Sequence, residues 1–265
     1  MLNIIRSVNY GLRRDAGVII SVIAMIILPF FILTAVSIAS GTASKDLTPS
    51  FMVGTQLLGM IFAFSFVGIT IISCKAMGMD GSDKTINYEI MSGHRRFKIF
   101  AGRTIAGIMW GTVLILIIDS IPVLVFYLAN GWGKETDPQD IIFRMLLCFF
   151  PILRLSAFGM MLASVFSSAG KGIAAGFGAF MITDIIESVL AEGLDFKTDY
   201  VFGFINILSL LIPQNSREFI IDGKPVTVFE TAVTGKMIYM TVLASLFFTV
   251  LYLTVSYILF RKKDR

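Results

Sequence analysis

The chain has 265 residues, of which 56% are hydrophobic and only 15% are charged. A soluble domain carries about 25% charged residues, so this composition argues against a soluble catalytic domain and for a polytopic membrane protein. Two cysteines, Cys74 and Cys148, are too few for a disulfide framework and read as buried, inert thiols. The net charge of +4 is not a nucleic-acid signal, because the basic residues cluster in short loops and beside apolar runs, which is a topology pattern.

Residues 1–16 read as an interfacial helix. Leu2, Ile5, Val8 and Leu12 recur at spacings of three and four, with Arg6, Asn9 and Arg13 elsewhere on the surface, as for a helix lying on anionic headgroups. An ordinary basic tail is the alternative. No cleavable signal peptide is expected, since the first apolar run is long and lacks a small-residue cleavage site.

Apolar runs follow at 17–40, 52–74, 104–129, 141–168, 171–192 and 236–260. Each can cross a bilayer at roughly 20 residues per span, which gives an all-α integral membrane protein with six transmembrane helices in a single transmembrane domain. Placing both termini in the cytosol puts 14 basic residues inside and 6 outside, in line with the positive-inside rule. Pro29, Pro122 and Pro151 interrupt spans one, three and four and predict kinks.

The interval 193–235 lies outside on this topology. Its apolar stretch from Val201 to Pro213 is too short to cross, and predicts a re-entrant or interfacial helix. Asp222-Gly223 marks a turn, so the remainder reads as a small extracellular loop or hairpin. A seventh crossing would put the basic C-terminus outside, against the charge rule.

On the inner side the long polar stretch is 84–103. It gathers Glu89, His94, Arg95, Arg96 and Lys98 around Gly93, with apolar positions at Ile86, Ile90, Phe97, Ile99 and Phe100. That pattern predicts a short amphipathic helix under the membrane domain, offering charge to the cytosol. A solvated basic loop would account for the arginines but not for Glu89 or the regular apolar positions.

Charges inside the spans cost at least about 2.5 to 3.5 kcal/mol at the helix centre unless paired or wet. Asp119, Arg154, Asp184 and Glu187 are the residues concerned. Residue counting puts Asp119, Arg154 and Asp184 at similar depth, so Arg154 is expected to pair with Asp119 or Asp184. A substrate-pathway role, or snorkelling of Arg154 to the outer leaflet, are the other readings. Small residues in helical register, Gly107 with Gly111 and Ser164, Ser168, Gly172 and Gly176, predict close helix packing.

Catalytic patterns are missing. The sequence has no GxxxxGK[ST], and SSAGKG at 167–172 lacks the upstream glycine. One histidine, no HExxH, no CxxC and no GxSxG leave no nucleophile or metal constellation. No metal or cofactor is therefore expected in this chain.

The topology, the N-terminal amphipathic helix, the polar stretch between spans two and three and the element before span six together resemble the permease subunits of type-2 ABC transporters. The class includes lantibiotic-immunity and peptide- or drug-export permeases of Gram-positive bacteria. Glu89, Gly93, Arg96, Ile99, Phe100, Gly102 and Arg103 carry the likeness, matching a Glu, Gly, basic, Ile-Phe-x-Gly-basic order in the family's loop. The resemblance implies that Glu89, Gly93, His94, Arg95, Arg96 and Phe97 form a coupling helix seated on a separate ATPase subunit, present in two copies and holding ATP and magnesium. It also implies a second permease copy or a related permease, with spans one and five lining the dimer interface and Gly172 and Gly176 near it. The expected setting is the plasma membrane, and the expected substrate an amphipathic peptide, lantibiotic or hydrophobic drug. Two other classes stay open: an ion-coupled carrier using Asp119, Asp184 and Glu187, for which no inverted repeat is visible, and a non-transporting scaffold that binds a cytosolic partner through 84–103.

Overall fold

An apolar run with no water to bond its backbone can satisfy its N–H and C=O groups internally only as a helix, and the predicted runs are helical. A computed structural model describes residues 2–40, 47–78, 93, 95–166, 168–194, 203–212, 216–221, 224–229 and 231–262. In chain order the elements are α1 (Leu2–Arg14), α2 (Ala16–Ser40), α3 (Pro49–Gly54), α4 (Leu57–Gly78) and α5 (Arg96–Ile108). A π-helical stretch, Met109–Leu114, runs on into α6 (Ile115–Asn130). Then come α7 (Pro138–Leu147), α8 (Phe149–Phe166), α9 (Ala169–Leu194), α10 (Gly203–Leu211), strands β1 (Ser216–Ile221) and β2 (Lys224–Phe229), and α11 (Gly235–Lys262). Among the described residues five helical segments are long and apolar enough to cross a membrane: α2, α4, α5 through α6, α7 through α8, and α11. The protein is therefore a helical, membrane-spanning one.

Several boundaries move. The second run does not begin at 52, because Pro49–Gly54 forms its own helix, with Thr48 accepting from the Phe51 N–H and Pro49 in the first position. Gln56, at φ 62°, then turns the chain into α4. The third span starts at Arg96 rather than 104, since the helix runs on from Arg96 to Asn130 through the π-helical stretch and past Pro122. Arg96–Arg103, expected within the coupling-helix stretch 84–103, are thus the opening turns of the third span, while 84–92 and 94 lie outside the described residues. The fourth run breaks at Cys148, just ahead of Pro151, where the missing proline N–H and the ring limit continuation.

The 201–213 expectation corresponds to α10. The all-α reading has one exception: β1 and β2 pair antiparallel, from Ser216 opposite Phe229 to Ile221 opposite Lys224, around the position expected for a turn.

Helices α4 and α8 form the centre. α8 packs on α4, α9, α11 and the α5–π segment, while α2 leans on α4 and α6. Small residues set these distances. An added Cβ at Gly159 would stand 2.9 Å from Ser73 Cβ, and one at Gly107 would stand 2.4 Å from Met160 Cε. The buried face of α11 follows the same logic with hydroxyls: Thr241, Ser245, Thr249 and Ser256 turn inward, and Ser256 and Ser164 share a 2.7 Å hydrogen bond.

The bundle has two distinct ends. The base carries α1, the start of α5 and the C-terminal end of α11. The cap, opposite, is built from α3, residues 131–137, α7, α10 and the strands. In the cap Ser50 accepts from the Glu135 N–H and from Thr136 Oγ1, and its own N–H bonds the Trp132 carbonyl. Gly133, at φ 100°, passes so close to Ser50 and Thr48 that a Cβ would stand 2.6 Å from each.

Candidate functional site

At the base, Gly93 adopts φ 83° and the exposed Arg95 precedes the first residue of α5. Ile99 and Phe100 are buried, whereas Phe97 stays 62% exposed beside Arg95 and Lys98. Of the apolar positions expected in this stretch, Ile99 and Phe100 therefore turn inward and Phe97 does not. Glu89, His94 and the remainder of 84–92 lie outside the described residues.

Sequence reasoning did not anticipate what this corner rests on. Arg96 Nη1 donates to the Arg261 carbonyl at 3.1 Å. The Phe97 ring meets Tyr257 edge-on at 5.8 Å, and Phe100 lies against both Tyr257 and Phe260. The C-terminal end of α11 is thus bolted to the start of α5. From the other side comes α1, whose Asn9 side-chain oxygen accepts from Trp110 Nε1 at 3.0 Å, at the start of the π-helical stretch.

The stripe of α1 also differs from expectation. Ile4, Val8 and Leu12 are buried against the protein, while Leu2 is exposed and Ile5 is only partly covered. The apolar face follows a strict spacing of four and packs on the bundle, leaving Arg6, Arg13 and Arg14 outward. Between α1 and α2, Asp15 and Lys75 form a 2.7 Å salt bridge. Burial pushes the Asp15 carboxyl upward, but the Lys75 ammonium and the Val18 and Gly17 N–H groups outweigh it and hold it below its ordinary value.

Of the two pairings expected for Arg154, the one with Asp119 is not formed, and the one with Asp184 falls on a side chain outside the described residues. Asp119 is buried on α6, and its Oδ1 accepts from Ser65 of α4 while Oδ2 meets no hydrogen-bond donor among the described residues. Arg154, buried on α8, turns instead toward α11, with its guanidinium 5.5 Å from the centre of the Phe248 ring. No salt bridge joins Arg154 to Asp119. The reason is that spans three and four touch through α5 and the π-helical stretch, while α6 packs on α2 and α4. Equal depth did not mean a shared face. Asp184 and Glu187 lie three apart on α9, and their side chains are outside the described residues.

Gly172 and Gly176 pack helices, but within this chain. A Cβ on Gly172 would stand 3.0 Å from the Ala163 backbone, and one on Gly176 would stand 2.5 Å from Thr70. Both are buried, so they do not supply an open dimer face.

One strongly held residue lies inside the apolar run 141–168. Arg144, buried on α7, donates Nε to the Thr231 carbonyl at 2.7 Å, Nη1 to Leu210 at 2.9 Å and Nη2 to Ala232 at 3.0 Å. It thereby ties the C-terminal end of α10 and the approach to α11 onto α7. An arginine inside an apolar run was the available signal. Near it in the cap, Glu135 is pushed above its ordinary value by burial.

Neither a protein-family model, nor a curated protein, nor a solved structure matches the chain. What the fold defines on its own is a helical membrane-spanning bundle whose described residues are joined by hydrogen bonds at one end and carry exposed basic side chains at the other.

Proposed function

We propose that this chain is the membrane-spanning subunit of an ATP-driven exporter of the type-2 ABC kind. In this reading it crosses the plasma membrane six times, with α9 as the fifth span and both termini in the cytosol. ATP and magnesium are held by a separate ATPase subunit in two copies, and a second permease copy or a related permease completes the pore. The cargo is an amphipathic peptide, a lantibiotic or a hydrophobic drug, and no nucleic acid is involved.

The observation that carries this reading is the base corner. Phe97 is a large apolar side chain left exposed among cations, on a segment braced by α11 and neighbouring α1. Exposed aromatic and arginine groups on a rigid support are the residues that anchor protein partners. A push on Arg95–Phe97 would pass directly into α5 and, through Tyr257, into α11. A solvated loop would need neither the aromatic nor the bracing.

Co-purification of the tagged full chain tests the proposal, with wild type beside a variant changing Glu89, Arg95 and Arg96 to Ala. A soluble ATP-binding polypeptide retained by wild type and lost from the folded variant is the expected result. Retention by both would keep the transporter class and move the interface elsewhere. Absence of any ATPase under gentle detergent would remove the reading. The carrier alternative has one observation in its favour, the buried Asp119 Oδ2 without a donor. Cargo uptake that survives ATPase depletion and is lost in Asp119→Asn would favour it.

A further inference from the structure

A groove of about 360 Å³ runs between α2 and α4, with Ala24, Leu28 and Ile32 on one wall and Phe64 and Ile71 on the other. Its walls are apolar, as expected at membrane depth. From Gly17 to Ile32 it follows α2 for about 22 Å at 1.5 Å per residue. One leaflet is about 15 Å thick, half of a roughly 30 Å hydrocarbon core, so the groove is long enough to take an acyl chain through a whole leaflet and is too elongated for a compact solute.

The groove is apolar along its length but charged at one mouth. At the base end a Cβ built on Gly17 would lie 3.1 Å from Asp15 Oδ1 and 3.9 Å from Lys75 Cε, so the Asp15–Lys75 pair stands over the opening. Lys75 spends one donor on Asp15 at 2.7 Å, and its side chain remains 29% exposed. An ammonium has three donors, so it can serve a second acceptor. Arg13 and Arg14, both exposed, end α1 immediately before Asp15. A chain-length apolar slot with the Lys75 ammonium at its mouth matches an amphiphile that has an acyl tail and an anionic head.

We propose that this groove holds one acyl chain of an anionic phospholipid, with Lys75 meeting the lipid's phosphate at the base-end mouth. Net negative charge is favoured over a zwitterionic head, because a choline would bring its own cation against Lys75. Asp15 competes with the phosphate for Lys75, which sets the pair up as a regulator of lipid affinity. The site is independent of the exporter reading, since it concerns a lipid that stays and not a cargo that leaves.

Native mass spectrometry of the detergent-purified full chain tests this, with phosphatidylglycerol or phosphatidylcholine of identical acyl chains added back singly. Wild type is expected to retain one phosphatidylglycerol about fivefold more tightly than phosphatidylcholine, the preference that one well-placed surface cation supplies. Lys75→Gln should abolish that preference and Asp15→Asn should increase it, whereas a purely structural ion pair predicts the same direction for both. Ala24→Trp, at an exposed position that fills the slot, should weaken both lipids alike while leaving the elution profile unchanged. Equal retention of the two lipids by wild type overturns the proposal, as does unchanged lipid binding in Ala24→Trp. So does a homodimer that Ala24→Trp splits without releasing lipid, which would give the groove to a second copy.

Discussion

The cap and the base of this protein are held by different chemistry. In the cap, polar groups find one another: Ser50 serves three partners, Arg144 spends its donors on three carbonyls, and the Phe229 N–H reaches the Glu135 carbonyl. In the base, Phe97, Phe100, Tyr257 and Phe260 pack ring against ring, while Arg6, Arg13, Arg14, Arg95 and Lys98 are exposed. A surface whose hydrogen bonds close on themselves needs no partner for stability. A surface of outward cations around an exposed aromatic leaves its groups for something else, headgroups or protein. That difference is the reason the proposed partner contact is placed at the base.

The comparison breaks most directly at Arg144. Arg144→Met leaves three buried carbonyls without their donor and should cost about 3 kcal/mol. Thermal unfolding in detergent should fall by roughly 6–12 °C at about 2–4 °C per kcal/mol. Arg95→Ala and Lys98→Ala together should leave the midpoint unmoved, and an equal fall would show that the base is as self-contained as the cap.

The centre separates the two ends and should respond next. Gly172→Ala drives a methyl against the Ala163 backbone and should destabilise by about 1–3 kcal/mol. Gly178→Ala, on the same helix with nothing within 4 Å of its Cβ, should be neutral or stabilise by about 0.5–1 kcal/mol through helix propensity. Chemical denaturation of the pair checks both. A matching loss at Gly178 would put that face of α9 in contact with another surface.

Smaller still is Ser50→Ala, which strands the Glu135 N–H and the Thr136 hydroxyl and should cost about 1–2 kcal/mol. Faster hydrogen exchange confined to 47–56 and 131–137 is the expected signature. Exchange that quickens at the base as well would mean that the two ends communicate.

Acid should move the two ends in opposite directions, though by little. Glu135 has its carboxyl raised by burial, so its favourable contribution is complete below the usual value of about 4.3 and is lost as pH rises through the raised one. Asp15 is lowered, so its contribution is complete above about 3.9 and is lost as pH falls toward the lowered value. Between neutrality and about pH 4 the cap should therefore tighten while the base holds, and below that the base should loosen. Proteolysis at each end across this range reads the effect, and Glu135→Gln should remove the cap's response alone.

Much of the architecture was legible along the chain. Helices stand where the apolar runs lie, even across Pro29 and Pro122, the short run 201–213 corresponds to α10, and the strands flank the turn expected at Asp222-Gly223. Thr48-Pro49 and Asp137-Pro138 carry the N-terminal cap signals of α3 and α7. The strict four-residue spacing of Ile4, Val8 and Leu12 was also present, although it marks packing on the protein and not on lipid.

What could not be read is which way each span faces. An amphipathic helix in water announces its buried side by polarity, but α2, α4, α8 and α11 are apolar nearly all round, so periodicity says nothing about orientation. Orientation was settled by where small residues let backbones approach and where hydroxyls found partners. That is why Gly172 and Gly176 turn into the chain, why Asp119 meets Ser65, and why Arg154 faces Phe248 and not Asp119. Composition and breakers along the sequence determined that this protein is a bundle of membrane-length helices with a basic end. Only the tertiary structure decided which faces meet, because in an apolar solvent helix faces are selected by fit and hydrogen bonding, which reside between segments and not within them.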